Sequence, residues 1–407
     1  MSDHENSIFT SQMCMDLTEQ YVLHTYNRFP VVFDRGEGVR LYDADGKEYL
    51  DFGAGIAVFA LGYGCKEYND ALKAQIDLLI HTSNLYYHRP LAVAAEKLIK
   101  ASGLSKVFFT NRGTEAIEGA IKAARKYAWN KEKRNDYEII AMEQSFHGRS
   151  VGALSVTGNE HYQEAFRPLM GGVRFAEFNQ IESVLKNVNE HTCAILLETV
   201  QGEGGIYPAD PAFLKAIREL CDEKDILLIL DEIQCGMGRC GSMFAWQQYG
   251  VKPDIMTTAK ALGCGLPVGA FVLNEKCAAS SLVPGDHGTT YGGNPLACAA
   301  VSKVFDLFEE KSVLKNVNDT APYLTAQLDD LISRHDCLLT RRGMGMMQGV
   351  ETVPGITGRI VSGALEEGLV ILSAGNNVLR FVPPLVISKE NVDEMICKLE
   401  KTILSQT

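Results

Sequence analysis

Asp225-Ile-Leu-Leu-Ile-Leu-Asp231-Glu-Ile-Gln234 is the stretch that decides the fold. An unbroken apolar run ending in a carboxylate predicts a strand buried on both faces of a parallel sheet, with Asp231 at its carboxyl end. Pro253-Asp-Ile-Met-Thr-Thr-Ala-Lys260 repeats the form and ends in a lysine, 29 positions after Asp231. That distance suits one crossover between parallel strands. Ligands of open α/β sheets sit outside the carboxyl ends of the strands, so Asp231 and Lys260 are expected to meet at one crevice. An acid and an amine there suit pyridoxal 5'-phosphate (PLP), which needs a lysine for its Schiff base and a carboxylate to keep its pyridine nitrogen protonated.

Other readings of the same letters fail elsewhere in the chain. An apolar run ending in Asp-Glu also resembles the second nucleotide motif of P-loop ATPases, but no Gly-x-x-x-x-Gly-Lys-[Ser/Thr] occurs, and Gly46-Lys47 is followed by Glu48. Gly236-Met-Gly238-Arg-Cys-Gly241 matches the dinucleotide fingerprint. Its glycines lie several residues beyond the strand, and the next acid, Asp254, opens a strand instead of closing one. An ordinary surface lysine at 260 is disfavoured by its apolar approach and by Ala261-Leu-Gly263-Cys-Gly265-Leu-Pro267, which predicts a turn in a cleft.

Working outward, strands are expected at 107–110, 138–142, 193–198, 226–230, 255–258 and 269–273, with a helix at 211–224. Gly113-Thr-Glu-Ala116-Ile117 opens a helical pattern right after the strand Val107–Thr110 and a glycine turn. Free N–H groups and the positive end of the helix dipole converge at such a start, so a phosphate belongs there. The alternation predicts an α/β fold, a mostly parallel central sheet with helices on both faces. Helices are also expected at 12–27, 66–82, through much of 295–335, at 357–367 and from 388. Residues 1–65 are read as the N-terminal segment of a small lobe, 66–294 as the large PLP-binding domain, and 295–407 as a C-terminal small domain.

The 407 residues are 46% hydrophobic and 22% charged, the profile of a soluble globular protein with a large core. A net charge of −12 argues against nucleic acid and anionic membrane as partners. The eleven cysteines lack paired spacing and fit reduced thiols in a cytosol; no zinc or other metal site is expected, and Cys235 and Cys240 are read as packing residues. No apolar run approaches the roughly 18 residues of a membrane span. Residues 1–27 hold no Lys or Arg, so a signal or transit peptide is not expected and the cytoplasm is the default location.

Tyr26 to Val31, Gly53 to Val58, Phe146-His-Gly-Arg149, Gln201-Gly-Glu203-Gly, Asp231 to Arg239, Lys260-Ala-Leu-Gly, His287 to Pro295 and Arg380-Phe-Val-Pro-Pro follow one another across nearly the whole chain. In these motifs the chain resembles class III (ω-amino) aminotransferases of fold type I, especially those acting on acetylornithine. The resemblance implies that Lys260 bonds the cofactor covalently and moves the proton, that Asp231 keeps its ring cationic, and that Gln234 meets the ring hydroxyl. It further implies that Phe146 stacks on the ring, that the N–H groups of Gly113 and Thr114 hold the phosphate, and that Thr290 reaches a phosphate from the neighbouring subunit of a homodimer. On the substrate side it implies Tyr26, Arg149 for a remote carboxylate, and Arg380 covered by Glu203 as a gate. Arg112, counted among the cofactor-binding residues, stands where the family has a serine beside the phosphate, either adding a charged fork to it or pointing away while the backbone holds it; Thr199 replaces a usual proline, and Cys65-Lys66-Glu67 departs from Cys-His-Pro.

The implied reaction converts N2-acetylornithine and 2-oxoglutarate to N-acetylglutamate 5-semialdehyde and glutamate by a ping-pong route in arginine biosynthesis. Ornithine, succinylornithine, succinyldiaminopimelate and 4-aminobutyrate are the alternative amines. A nicotinamide oxidoreductase and a non-catalytic PLP-binding protein are the alternatives from other classes, and the intact Lys260 and Asp231 speak against the second.

Overall fold

The computed structural model describes residues 10–406; the first nine residues of the predicted N-terminal segment, and Thr407, lie outside it. Seven strands form the central sheet, in the spatial order Lys106–Thr110, Gly269–Leu273, Ile255–Thr258, Leu227–Asp231, Thr192–Glu198, Glu138–Met142, Val173–Ala176. Gly269–Leu273 runs against both neighbours and the other strands share one direction, so the sheet is mostly parallel, as in fold type I. Every residue of Leu227–Asp231 is buried, which is why that strand reads as a continuous apolar run without alternation.

Six of these strands match the expected positions; the edge strand Val173–Ala176 was not expected. It is four residues long, contains an arginine and is only partly covered, so it carries no clear period. The expected helix at 12–27 ends at Tyr21, because Val22 turns extended (φ −102°, ψ 128°). Residues 295–335 form two helices, Pro295–Glu310 and Val313–Arg334, divided at Ser312, whose φ is +51°.

Helix Gly113–Glu132 lies across the sheet on an alanine-rich face. A Cβ at Gly119 would sit 2.1 Å from the ring of Phe271, so only glycine lets this helix come so close and aim its amino end at the carboxyl ends of the strands. A second sheet, antiparallel, follows the order Leu338–Met344, Met347–Thr352, Val378–Phe381, Leu372–Ala374. Near the amino end of the chain, Glu48–Asp51 pairs in parallel with Leu369–Val370. Among the described residues, no helix is long and apolar enough to cross a membrane.

Candidate active site

Strand register places three polar side chains abreast at the sheet's carboxyl edge, with Asp231 opposite Glu198 on one side and Thr257 on the other. The buried Asp231 carboxylate receives Ile233 N–H and Thr257 Oγ1, each at 3.0 Å to Oδ1, and its Oδ2 lies 2.7 Å from His147 Nδ1. A carboxylate only accepts, so that contact places the proton on Nδ1. His147 Nε2 is buried and has no hydrogen-bond partner among the described residues. Sequence reasoning assigns His147 no role, because its pairing with Asp231 spans 84 residues and leaves no local signal.

Lys260 lies just past strand Ile255–Thr258, opening the tight turn Lys260–Leu262 with φ +46°. A non-glycine residue in that region is strained, and from this left-handed backbone the side chain lines the cleft. Burial pushes the Lys260 amine down to about 8, Arg380 adds to the shift, and Glu203, Asp231 and Glu198 oppose it. Burial likewise pushes Glu198 up to about 7, with Asp231 adding to the effect and His147 and the N–H groups of Gly202 and Phe146 opposing it.

Strand Lys106–Thr110 leads directly into the start of helix Gly113–Glu132. Arg112 is the N-cap of Gly113–Glu132 but makes no side-chain cap bond, so the first N–H groups of the helix open onto the cleft. Gly113 is further required by Ile233, whose Cδ1 would lie 2.8 Å from a Cβ there. Thr114 Oγ1 is 3.0 Å from Ser150 Oγ. The Arg112 side chain, at the rim of the cleft, is 73% exposed and reaches toward Glu115, Nε to Oε1 3.5 Å. Arg112→Ser is therefore expected to leave PLP affinity within roughly twofold. A tenfold loss in a titration of the cofactor-free protein would put the guanidinium on the phosphate.

Gln234, Glu203 and Arg380 form one closed cluster. Gln234 Nε2 donates to Glu203 Oε1 at 3.2 Å, Arg380 Nη1 donates to Gln234 Oε1 at 3.1 Å, and Arg380 also pairs directly with Glu203. One Gln234 N–H remains for a ligand oxygen. Burial pushes the Glu203 carboxyl up, but Arg380, Lys260 and Gln234 together hold it below the ordinary carboxylate range. Arg149 stacks over Tyr162 at 3.8 Å and lies 5.4 Å from the centre of the Phe146 ring. Tyr162 was not singled out in the sequence reading. Tyr26, Phe146 and Arg149 line the same cleft as Asp231 and Lys260, whereas Thr290 is exposed and does not line the cleft of its own chain.

Two sequence oddities also find a place. Thr199 Oγ1 donates to the buried Glu232 at 2.6 Å, a bond the usual proline cannot make. The glycines of 236–241 turn the chain around the buried Arg239 and start no helix, so the dinucleotide fingerprint is incidental.

The cleft measures about 820 Å³, enough for a cofactor and part of a substrate. Its contents fit PLP: an amine with no hydrogen-bond partner among the described residues, a carboxylate fixed by three donors, and an uncapped helix start. The class-III aminotransferase family model matches residues 21–403. The chain belongs to the class-III aminotransferases. This aminotransferase is 47% identical, over 95% of its length and all of theirs, to the acetylornithine aminotransferase of Clostridium acetobutylicum. It is also 47% identical to that of Methanocaldococcus jannaschii, over 95% of this chain and 97% of the other. Among solved structures it superposes on the ornithine aminotransferase of Toxoplasma gondii, which has PLP partially occupying its active site. The TM-score is 0.94 at 28% identity, covering 99% of this chain and 96% of that one.

Proposed function

We propose that this aminotransferase carries the terminal amino group of N2-acetylornithine to 2-oxoglutarate, yielding N-acetylglutamate 5-semialdehyde and glutamate, in arginine biosynthesis. The acetylornithine aminotransferases it is similar to support that substrate pair. When bound, PLP supplies an aldehyde that takes up the amino group and a ring that draws electrons from the reacting carbon. The first N–H groups of helix Gly113–Glu132 would hold its phosphate, Phe146 would cover the ring, Gln234 would meet the ring hydroxyl, and Asp231 would keep the ring nitrogen protonated. Lys260 Nζ, an amine near neutrality at about 8, takes the proton from the amine-bearing carbon of the substrate.

The observation that carries the reading is the Glu203–Arg380 pair held on Gln234, which lines the cleft together with Lys260. Glutamate bears a carboxylate on its reacting carbon and acetylornithine bears none there, while both carry a remote carboxylate for Arg149. Arg380, buried at 3% exposure, needs a counter-charge whenever the substrate brings none, and Glu203 supplies it. Tyr26 closes the substrate side of the cleft.

In this reading residues 66–294 form the cofactor domain, and the described parts of 1–65 and 295–407 form the smaller lobe; the pairing of Leu50 with Leu369 supports joining the two segments. The enzyme works as a cytoplasmic homodimer in which Thr290 completes the partner's phosphate site. Large apolar side chains left exposed on a single chain, Leu78, Leu85, Tyr86 and Tyr87, support an interface.

Single-turnover measurements of each half-reaction test the gate. Glu203→Ala is expected to raise kcat/KM for glutamate relative to N-acetylornithine. Arg380→Ala is expected to damage the glutamate half by roughly 100-fold or more and the other half by much less. Equal losses in both halves would remove the gate, and faster turnover of ornithine or 4-aminobutyrate than of N-acetylornithine would overturn the substrate.

A further inference from the structure

The turn that carries Glu203, between strands Val200–Gln201 and Tyr207–Pro208, is held on both sides of that residue by groups outside the reaction derived above. On the amino side, Gly202 N–H donates to Glu198 Oε1 at 3.0 Å, and the other oxygen of Glu198 receives Phe146 N–H at 3.1 Å. At the middle, the Glu203 carbonyl accepts Gly375 N–H at 2.8 Å. On the carboxyl side, the Gly205 carbonyl accepts Arg342 Nε at 2.7 Å. Arg342 is itself fixed: its Nη1 donates to Glu351 Oε2 at 2.6 Å and its guanidinium lies 4.0 Å over the Tyr207 ring. Such a planar fork, bonded on two edges and stacked on a face, holds its target more rigidly than a lysine would.

A turn with glycine at 202, 204 and 205 has little stiffness of its own, since glycine gives up the most backbone freedom on being ordered. Arg342 reaches this turn from strand Leu338–Met344, in the antiparallel sheet whose strand Val378–Phe381 also carries Arg380. The two members of the gate are thus registered to one sheet, Arg380 by chain and Glu203 through Arg342.

We infer that Arg342 is a positioning residue that sets selectivity between amines with and without a carboxylate on the reacting carbon, by pinning the Gly205 carbonyl so that Glu203 rests over Arg380. The inference rests on the gate proposed above. With the backbone pinned at three points, Glu203 leaves Arg380 by rotating its side chain while the turn stays in place. Without the pin the turn samples other conformations and Arg380 is left uncovered more of the time. That favours glutamate and disfavours the acylated amine.

The test combines half-reaction kinetics with calorimetric binding of glutarate, a dicarboxylate without an amine, to the PLP-loaded enzyme. Arg342→Met is expected to shift the glutamate-to-acetylornithine ratio of kcat/KM by roughly five- to tenfold and to tighten glutarate by a similar factor. It is expected to add nothing to either quantity in a Glu203→Ala background, because both changes act on one contact. Arg342→Lys, which keeps a donor for Gly205, is expected to recover part of the ratio. Glu351→Gln, which leaves Arg342 in place but loosens it, is expected to shift the ratio in the same direction by less, and it stands in if the methionine variant does not fold. Equal loss in both half-reactions, or an effect that adds to that of Glu203→Ala, overturns the inference. If Glu203→Ala moves the ratio and neither Arg342→Met nor Glu351→Gln does, this inference alone falls. If Glu203→Ala itself leaves the ratio unchanged, the gate falls and takes the inference with it.

Discussion

Lys260→Ala is expected to lower kcat by at least about 10⁴-fold, because one amine is asked both to bond the cofactor and to move the substrate proton. PLP affinity falls less. The helix start at Gly113, the Asp231 carboxylate and the Phe146 ring remain after the covalent link is gone, so the variant still takes up PLP but loses the absorbance that goes with a lysine-bound cofactor. The buried position of the amine gives a second, independent readout in the wild type. Only the neutral amine attacks an aldehyde, and Lys260 is pushed down to about 8 from an ordinary 10.5. The rate of PLP uptake by cofactor-free protein therefore rises with pH through about 8 and levels off above it, instead of climbing toward 10.5. Multiple turnover by Lys260→Ala without an added amine would remove Lys260 from the chemistry.

The second large effect is expected at Asp231. Asp231→Ala removes the carboxylate proposed to hold the ring nitrogen protonated, and it strands His147 Nδ1–H and the Thr257 hydroxyl, both of which donate to that carboxylate at 3.0 Å or less. A fall of at least about 10³-fold in kcat/KM follows, the size of effect seen when a preorganised electrostatic partner is removed from a water-poor site. Asp231→Asn separates the two contributions. The amide keeps an acceptor for Thr257 or His147 and loses the charge, so the account expects it to be nearly as slow as alanine while folding and binding PLP better. Activity in Asp231→Asn within tenfold of wild type, measured at saturating PLP, would assign Asp231 a structural role only.

What the sequence reveals here follows from where the information is stored. Asp231 and Lys260 end apolar runs, and burial on both faces of a parallel strand leaves a continuous signature that names the residue at its tip. The start of helix Gly113–Glu132 is legible because its glycine follows a strand directly. By contrast, the contact of His147 with Asp231 and that of Arg342 with Gly205 join residues 84 and 137 positions apart. No local period records them. Tyr162, which supports Arg149, sits in a four-residue helix too short to show periodicity. The edge strand Val173–Ala176 was invisible for a related reason, being short and covered on few sides. Lys260 lies two residues beyond the strand, which stops at Thr258 as expected, and it owes its direction to a left-handed backbone that the letters Thr-Thr-Ala-Lys do not announce.

The most consequential role assigned here is that of Lys260 as the amine that bonds PLP and is released when a substrate amine loads the cofactor. Borohydride reduction of the PLP-loaded enzyme, followed by proteolysis and peptide mass spectrometry, tests it most directly. The account predicts a phosphopyridoxyl group on the peptide containing Lys260 and on no other, and its loss when the enzyme is treated with glutamate before reduction. Modification at a different lysine, or labelling of Lys260 that glutamate does not prevent, would contradict it.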